Sequence, residues 1–299
     1  MLDARYHLFY FTAIFLMLGF GILIGASYYG PVEMSRQREV VKRLAEQTNA
    51  VVQQRNLLQG RLNDDEQALA SLRPALVRGT LAGKKVILIQ TGDYADATEA
   101  ANQSLGDAGA TVAATVILTG HWGGLTARQR AALPSASEDP AAQDKALLTA
   151  LAAALAQGTG PAITGASVPA GVPPNAPLIA ALQQAGLLTV SGDLSQPCTL
   201  FVLVGGGSGD APETSLDMAL LAGWTSLTPP VTVAGCEPSG AASSFIPAYQ
   251  SAGIATVDCV DLPLGQIALP FALRGEAGDY GIKPTAKKRL PETLEGGAP

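Results

Sequence analysis

Between Tyr6 and Val32 the chain carries no Asp, Glu, Lys or Arg, and from Leu8 to Ala26 it is almost wholly apolar. Nineteen such residues form a helix of about 29 Å, the depth of a ~30 Å hydrocarbon layer. In lipid every backbone polar group must be bonded within the segment, so a run of this kind is restricted to a helix. Tyr6 and Tyr10 stand at one end and Tyr28 and Tyr29 at the other, as an interfacial aromatic belt does. The rival reading is a secretory signal cleaved after Gly25-Ala26-Ser27. The apolar region of such signals usually spans about 7–15 residues, so the longer run reads as an uncleaved anchor.

No other segment reaches ~18 consecutive apolar residues, so the chain is expected to cross a membrane once. One helix encloses no pore, and transport then requires several copies or a partner. Gly21 and Gly25, with Gly19 nearby, form a G-x-x-x-G pair. This either permits close helix approach or reflects the abundance of glycine in membrane helices. Arg5 precedes the span, and Arg36, Arg38, Lys42 and Arg43 follow it. Counting these cations alone places the C-terminal side in the cytoplasm.

After the anchor, Glu33 to Arg73 contains no proline and one glycine, Gly60, and reads as a helical stalk. With Met34 at heptad position a, the a residues are Met34, Val41, Thr48, Arg55, Leu62, Leu69 and Leu76. The d residues are Gln37, Leu44, Val51, Leu58, Asp65 and Leu72. Nine of these thirteen positions are apolar, which suits a coiled coil with a weak middle. Pairing with a second copy or with a partner helix is therefore expected, the alternative being that the stripe folds back on the body. Pro74 ends or bends the helix, and Gly79 and Gly83 mark the passage onward.

From Lys85 short β-branched runs alternate with Ala-rich stretches, predicting an α/β fold with a mainly parallel sheet and flanking helices. The expected strands are Val86–Gln90, Thr111–Leu118, Leu187–Val190, Thr199–Val204, Val231–Ala234 and Ile254–Val257. Helices are expected at Ala95–Ala108, Thr126–Leu133, Ala141–Gln157, Pro177–Ala185, Glu213–Trp224 and Ser243–Ala252. The organisation is thus an anchor (1–32), a stalk (33–78), an α/β domain (79–283) and a loose tail (284–299). The 299 residues carry a net charge of -6 and a pI near 5.0. That leaves no basic field for phosphate backbones and argues against nucleic-acid binding.

The chemistry-bearing inventory is small. Beyond the anchor there is one histidine, His121, and no G-x-S-x-G, H-E-x-x-H or C-x-x-C, so nothing asks for an enzyme. The run Gly205-Gly206-Gly207-Ser208-Gly209 lacks a third spaced glycine and a phosphate-loop lysine, and reads as a turn more readily than as a nucleotide cradle. Asp258 and Asp261 are expected to cap the helix containing Gln266 and Phe271. Cys236 and Cys259 both follow expected strands. With His121 at the same rim they would offer soft ligands for Cu(I), the alternatives being a disulfide or plain core packing.

Several segments carry a family likeness. They are Leu2-Asp3-Ala4-Arg5-Tyr6-His7-Leu8, Ala13-Ile14-Phe15-Leu16 and Gly21-Ile22-Leu23-Ile24-Gly25 at the start. Leu81-Ala82-Gly83-Lys84-Lys85-Val86, Gly265-Gln266-Ile267-Ala268-Leu269 and Tyr280-Gly281-Ile282-Lys283 continue it. Together they resemble the bacterial copper transporter family of the MctB type. The resemblance implies an anchor in the cytoplasmic membrane with the body outside the cytoplasm, against the count of cations, and a role in copper homeostasis or efflux. Some relatives resemble envelope components that pair with a second membrane protein in division-associated wall remodelling. With only 4 Met, 2 His and 3 Cys, all scattered, no copper-ligand motif is available to carry over.

Overall fold

The computed structural model describes residues 4–120, 122, 125–133, 139–159, 175–209 and 215–294. The chain divides into two compact units, Met1–Asp65 and Glu66–Pro299. The first is helical: helix α1 (Ala4–Val77) begins in it and ends in the second. Its Tyr6–Gly25 stretch, with mean hydropathy 2.2 and none of its window buried, is long and apolar enough to cross a membrane. Farther along the same unit Val41, Leu44, Val51, Leu58 and Leu62 are all exposed.

The second unit is an α/β body. Its strands are β1 (Lys85–Gln90), β2 (Thr111–Leu118), β3 (Leu188–Gly192), β4 (Leu200–Val204), β5 (Thr232–Cys236), β6 (Ala255–Val257) and β7 (Asp279–Tyr280). They form one sheet in the order β3-β2-β1-β4-β5-β6-β7. All pairs are parallel except β2 with β3. The remaining helices are α2 (Ala95–Asp107), α3 (Ala127–Ala131), α4 (Pro140–Gln157), α5 (Asn175–Gln184), α6 (Ser215–Thr225), α7 (Ile246–Ser251) and α8 (Pro263–Arg274). The expected mainly parallel α/β fold is what forms, each expected strand appearing within two residues at either end. The two-residue β7 has too short a run to leave a pattern.

Alternating strand residues feed two cores. Ile87, Ile89, Phe201 and Leu203 face a cluster with Leu147, Leu151 and Leu155 of α4, Leu220 and Trp224 of α6 and Tyr249 of α7. Phe201 and Trp224 stack at 4.6 Å. Val86, Leu88, Val202 and Val204 face the other cluster, with Val77 of α1, Ala101 and Leu105 of α2 and Ile267 and Leu269 of α8. Both faces are apolar because a parallel sheet is covered on both sides.

Helix α1 runs on through Pro74 to Val77. The last turn is held by tertiary contacts: Val77 is fully buried, and Arg73 donates to Asp107 and to Gln266. After β7 the chain from 284 to 294 stays on the body. The backbone N–H groups of Lys287 and Lys288 both bond to the Asp279 carbonyl, and Leu290 and Leu294 pack on the second core.

Candidate functional site

In an open α/β sheet the ligand crevice lies outside the carboxyl ends of the strands, where the strand order reverses. Here that point is between β1 and β4, and the chain itself fills it. Gly92 meets the backbone of Gly205 and Gly206 so closely that a Cβ has no room. Thr91 and Gly92 both donate their N–H groups to the Val204 carbonyl. Asp93 accepts from the Ser208 N–H at 2.7 Å and hydroxyl at 2.8 Å. Those two bonds hold its carboxyl below the usual range. Gly207 pairs with Ser243 in a bridge. The described glycine run is thus a knitted turn.

Beneath this turn lies a buried polar pair. The Tyr249 ring occupies space that a Cβ on Gly205 or Gly235 would take. Its hydroxyl donates to Asp217 Oδ2 at 2.5 Å. Asp217, in the first turn of α6, is fully buried. Desolvation raises its carboxyl to about 6, against the stabilising influence of Thr91 and Tyr249. Asp217 Oδ1 and Thr91 Oγ1 are each buried without a well-formed hydrogen bond. The Tyr249 hydroxyl is pushed up by burial and by the neighbouring carboxylate.

Farther along the same rim stand the two cysteines. Cys236 closes β5, and Cys259 follows β6, the neighbouring strand. Both are fully buried free thiols. Burial, then the charge of Glu237, raises the Cys236 thiol. Burial, then Asp258 and Asp261, pushes Cys259 up to about 12. As the body stands, both are neutral S–H groups in the interior, and thiolate is the form that binds a soft metal. Cys198 is also buried, donating to the carbonyls of Lys85 and Leu200. His121 lies outside the described residues. Among the described residues no group of three His, Cys, Asp or Glu side chains has metal-holding geometry.

The carboxylates beside the cysteines hold neighbouring loops through backbone and side-chain donors. Glu237 is fully buried and accepts from the Ser244 hydroxyl, the Phe245 N–H and Lys283 Nζ. Asp258 accepts from the N–H groups of Ile282 and Lys283 at 2.8 and 3.0 Å. Asp261 accepts from the Ser239 N–H and hydroxyl. The expected capping of the next helix by Asp258 and Asp261 is therefore corrected. Helix α8 starts at Pro263, after Leu262 as its N-cap and without a side-chain cap, because both acids reach loops from other strands instead.

The segments that carry the family likeness acquire a physical meaning here. Gly281 has φ +147° and abuts the Asp258 carboxylate, leaving no space for a Cβ. Gly265 abuts the Cys259 carbonyl in the same way. Gln266 accepts from Arg73 through its side chain and from the Ser104 hydroxyl through its carbonyl. Leu81, Val86, Ile267, Ala268, Leu269 and Tyr280 all lie in the second core. These motifs tie the end of α1 and the last strand to one face of the sheet. Asp217 escaped the sequence reading, as did the pairing of Glu237 with Lys283, since single charged residues show no partner in one dimension. The Tyr-Gly-Ile-Lys segment was the one available signal.

The sequence profile of the family described as "Copper transport outer membrane protein, MctB" matches residues 1–291. Proteins named copper transporter MctB from Mycobacterium bovis and Mycobacterium tuberculosis are 26% identical over 311 residues, spanning 94% of this chain and 96% of each relative. That family is named for copper transport and not for catalysis. With its profile matched across nearly the whole length, this chain belongs to the MctB family of copper transport proteins.

Proposed function

We propose that this chain is a non-enzymatic, single-pass component of the cell envelope that acts in copper homeostasis or efflux. The Tyr6–Gly25 helix anchors it in the cytoplasmic membrane, and the α/β body stands outside the cytoplasm. The observation carrying the copper role is the family match over residues 1–291, and the anchor is supported by the apolar helix at the start, a form that spans a membrane by itself and not as part of a barrel. A single helix provides no path for an ion through lipid, so copper movement requires further copies or a second membrane protein.

The test is cell-associated copper, measured by elemental mass spectrometry in cells lacking the chain. Copper is expected to rise on loss of the chain and to return with the full chain, but not with one lacking residues 6–25. Unchanged copper in all strains would overturn the reading. His121, Cys236 and Cys259 remain the candidate soft ligands, with the two thiols requiring the rim to open before a thiolate forms. The triple variant His121→Ala/Cys236→Ser/Cys259→Ser separates the cases: restored copper levels exclude direct ligation by these groups.

A second reading is favoured by the exposed apolar residues of α1. In it the chain is a scaffold whose stalk pairs through Met34, Val41, Leu44, Val51, Leu58, Leu62 and Leu69 with a membrane partner in envelope or division-associated wall remodelling. Capture of the full chain from membranes, with and without added copper, distinguishes the two readings by whether recovered chains change with the metal.

A further inference from the structure

Resting on the reading of α1 as an anchored stalk, we infer that the face Val41–Leu62 is an interface for a second copy of this chain, parallel and in register. Two copies whose Tyr6–Gly25 helices cross one membrane in the same sense bring their stalks side by side in that orientation. The face is apolar and open: Val41, Leu44, Val51, Leu58 and Leu62 are each between 49% and 66% exposed. They recur at the a and d positions of a heptad, spanning about 32 Å of helix at 1.5 Å per residue.

The polar residues support this choice of occupant. Thr48, at an a position, donates its hydroxyl to the Leu44 carbonyl at 2.8 Å within its own helix, so a dry layer leaves no orphaned donor. The ion pair Arg43–Glu39 lies on c and f positions, away from the seam. The flanking e and g positions from Val40 to Gln59 are Val40, Ala45, Gln47, Val52, Gln54 and Gln59, all uncharged. The flanks of two identical helices therefore add no like charges there, and the only like-charge contact in the span is Arg55 against Arg55 of the second copy. The next g residue is Arg61, and the e residue five positions on is Glu66. In a parallel pair these attract between copies, twice by symmetry. Arg55 is the one charge in the seam from Val41 to Leu62. A single polar a residue lowers stability while fixing register and strand number. In two strands its long side chain can reach water past the flank.

The test uses the full chain in phosphatidylcholine and phosphatidylglycerol vesicles, with a thiol crosslinker and single substitutions. The wild type is the control, since Cys198, Cys236 and Cys259 are buried. Leu58→Cys and Thr48→Cys are expected to give crosslinked dimers at least about tenfold more readily than Glu46→Cys and Gln53→Cys, which occupy f positions. Equal or absent crosslinking overturns the inference, as does a mixed pair of Leu58→Cys with Leu62→Cys that outpaces Leu58→Cys with itself, the mark of an antiparallel arrangement. A water-soluble maleimide applied to native membranes separates this failure from failure of the stalk reading. If Leu58→Cys is protected but no homodimer forms, a different chain covers the seam and this inference falls alone. If Leu58→Cys labels as fast as Glu46→Cys, both fall.

Discussion

Replacing Asp217 with asparagine should stabilise the body at neutral pH and lose most of that advantage in acid. The folded protein holds this carboxyl at about 6 against an ordinary 3.8, with burial as the main cause. A raised acid pKa means that the folded state binds the proton more tightly than the unfolded chain. Its stabilising contribution is fully present below about pH 3.8 and lost as pH rises through 6. One unit corresponds to about 1.4 kcal/mol, so the loss approaches about 3 kcal/mol above pH 7 and falls below about 1 kcal/mol at pH 4. Asparagine keeps the shape and an oxygen for the Tyr249 hydroxyl while removing the charge. The expected gain at pH 7.5 is therefore about 2–3 kcal/mol, or roughly 5–10 °C in Tm for a unit of this size. Both tryptophans, Trp122 and Trp224, are buried in the body, so tryptophan fluorescence of the full chain in detergent reports its unfolding alone. Equal destabilisation at pH 4 and pH 7.5 would show that Asp217 is held by a partner, and the reasoning from burial would fail.

Other perturbations follow from the same rim. Lys283→Met leaves Glu237 charged and buried and should cost about 3–5 kcal/mol in urea unfolding; adding Glu237→Gln should recover most of the loss. Gly281→Ala should cost about 3 kcal/mol, since it combines a backbone conformation unfavourable to other residues with contact against Asp258, and Gly281→Ala/Asp258→Ala should recover part of it. Folded chain at pH 8 should show negligible labelling of Cys198, Cys236 and Cys259 by Ellman's reagent over minutes, with all three reacting in denaturant; rapid labelling of Cys259 would refute the closed rim.

The strands of the body were legible because burial on both faces writes continuous apolar runs such as Val86–Ile89 and Phe201–Val204. The short β7 was not, because two residues carry no periodicity. Asp258 and Asp261 were read as caps from their place before α8, a local rule that lost to loops arriving from distant sequence. Cys236 and Cys259 were correctly placed at strand ends, and β5 does neighbour β6. Their burial, the main reason they stay protonated, depended on side chains brought from elsewhere, while the carboxylates that add to it, Glu237, Asp258 and Asp261, are their neighbours in the chain.

An uncharged run long enough to span lipid and a helix with a heptad stripe were set by local composition and period, since neither needs a distant contact. Which strands adjoin, that the crevice between β1 and β4 is filled by Gly92, Gly205 and Tyr249, and that Lys283 meets Glu237 across 46 residues were decided only in three dimensions. Packing selects among partners that the one-dimensional order leaves equivalent, and at the sheet's carboxyl edge it uses Asp93, Glu237, Asp258, Asp261 and Lys283 to hold the fold.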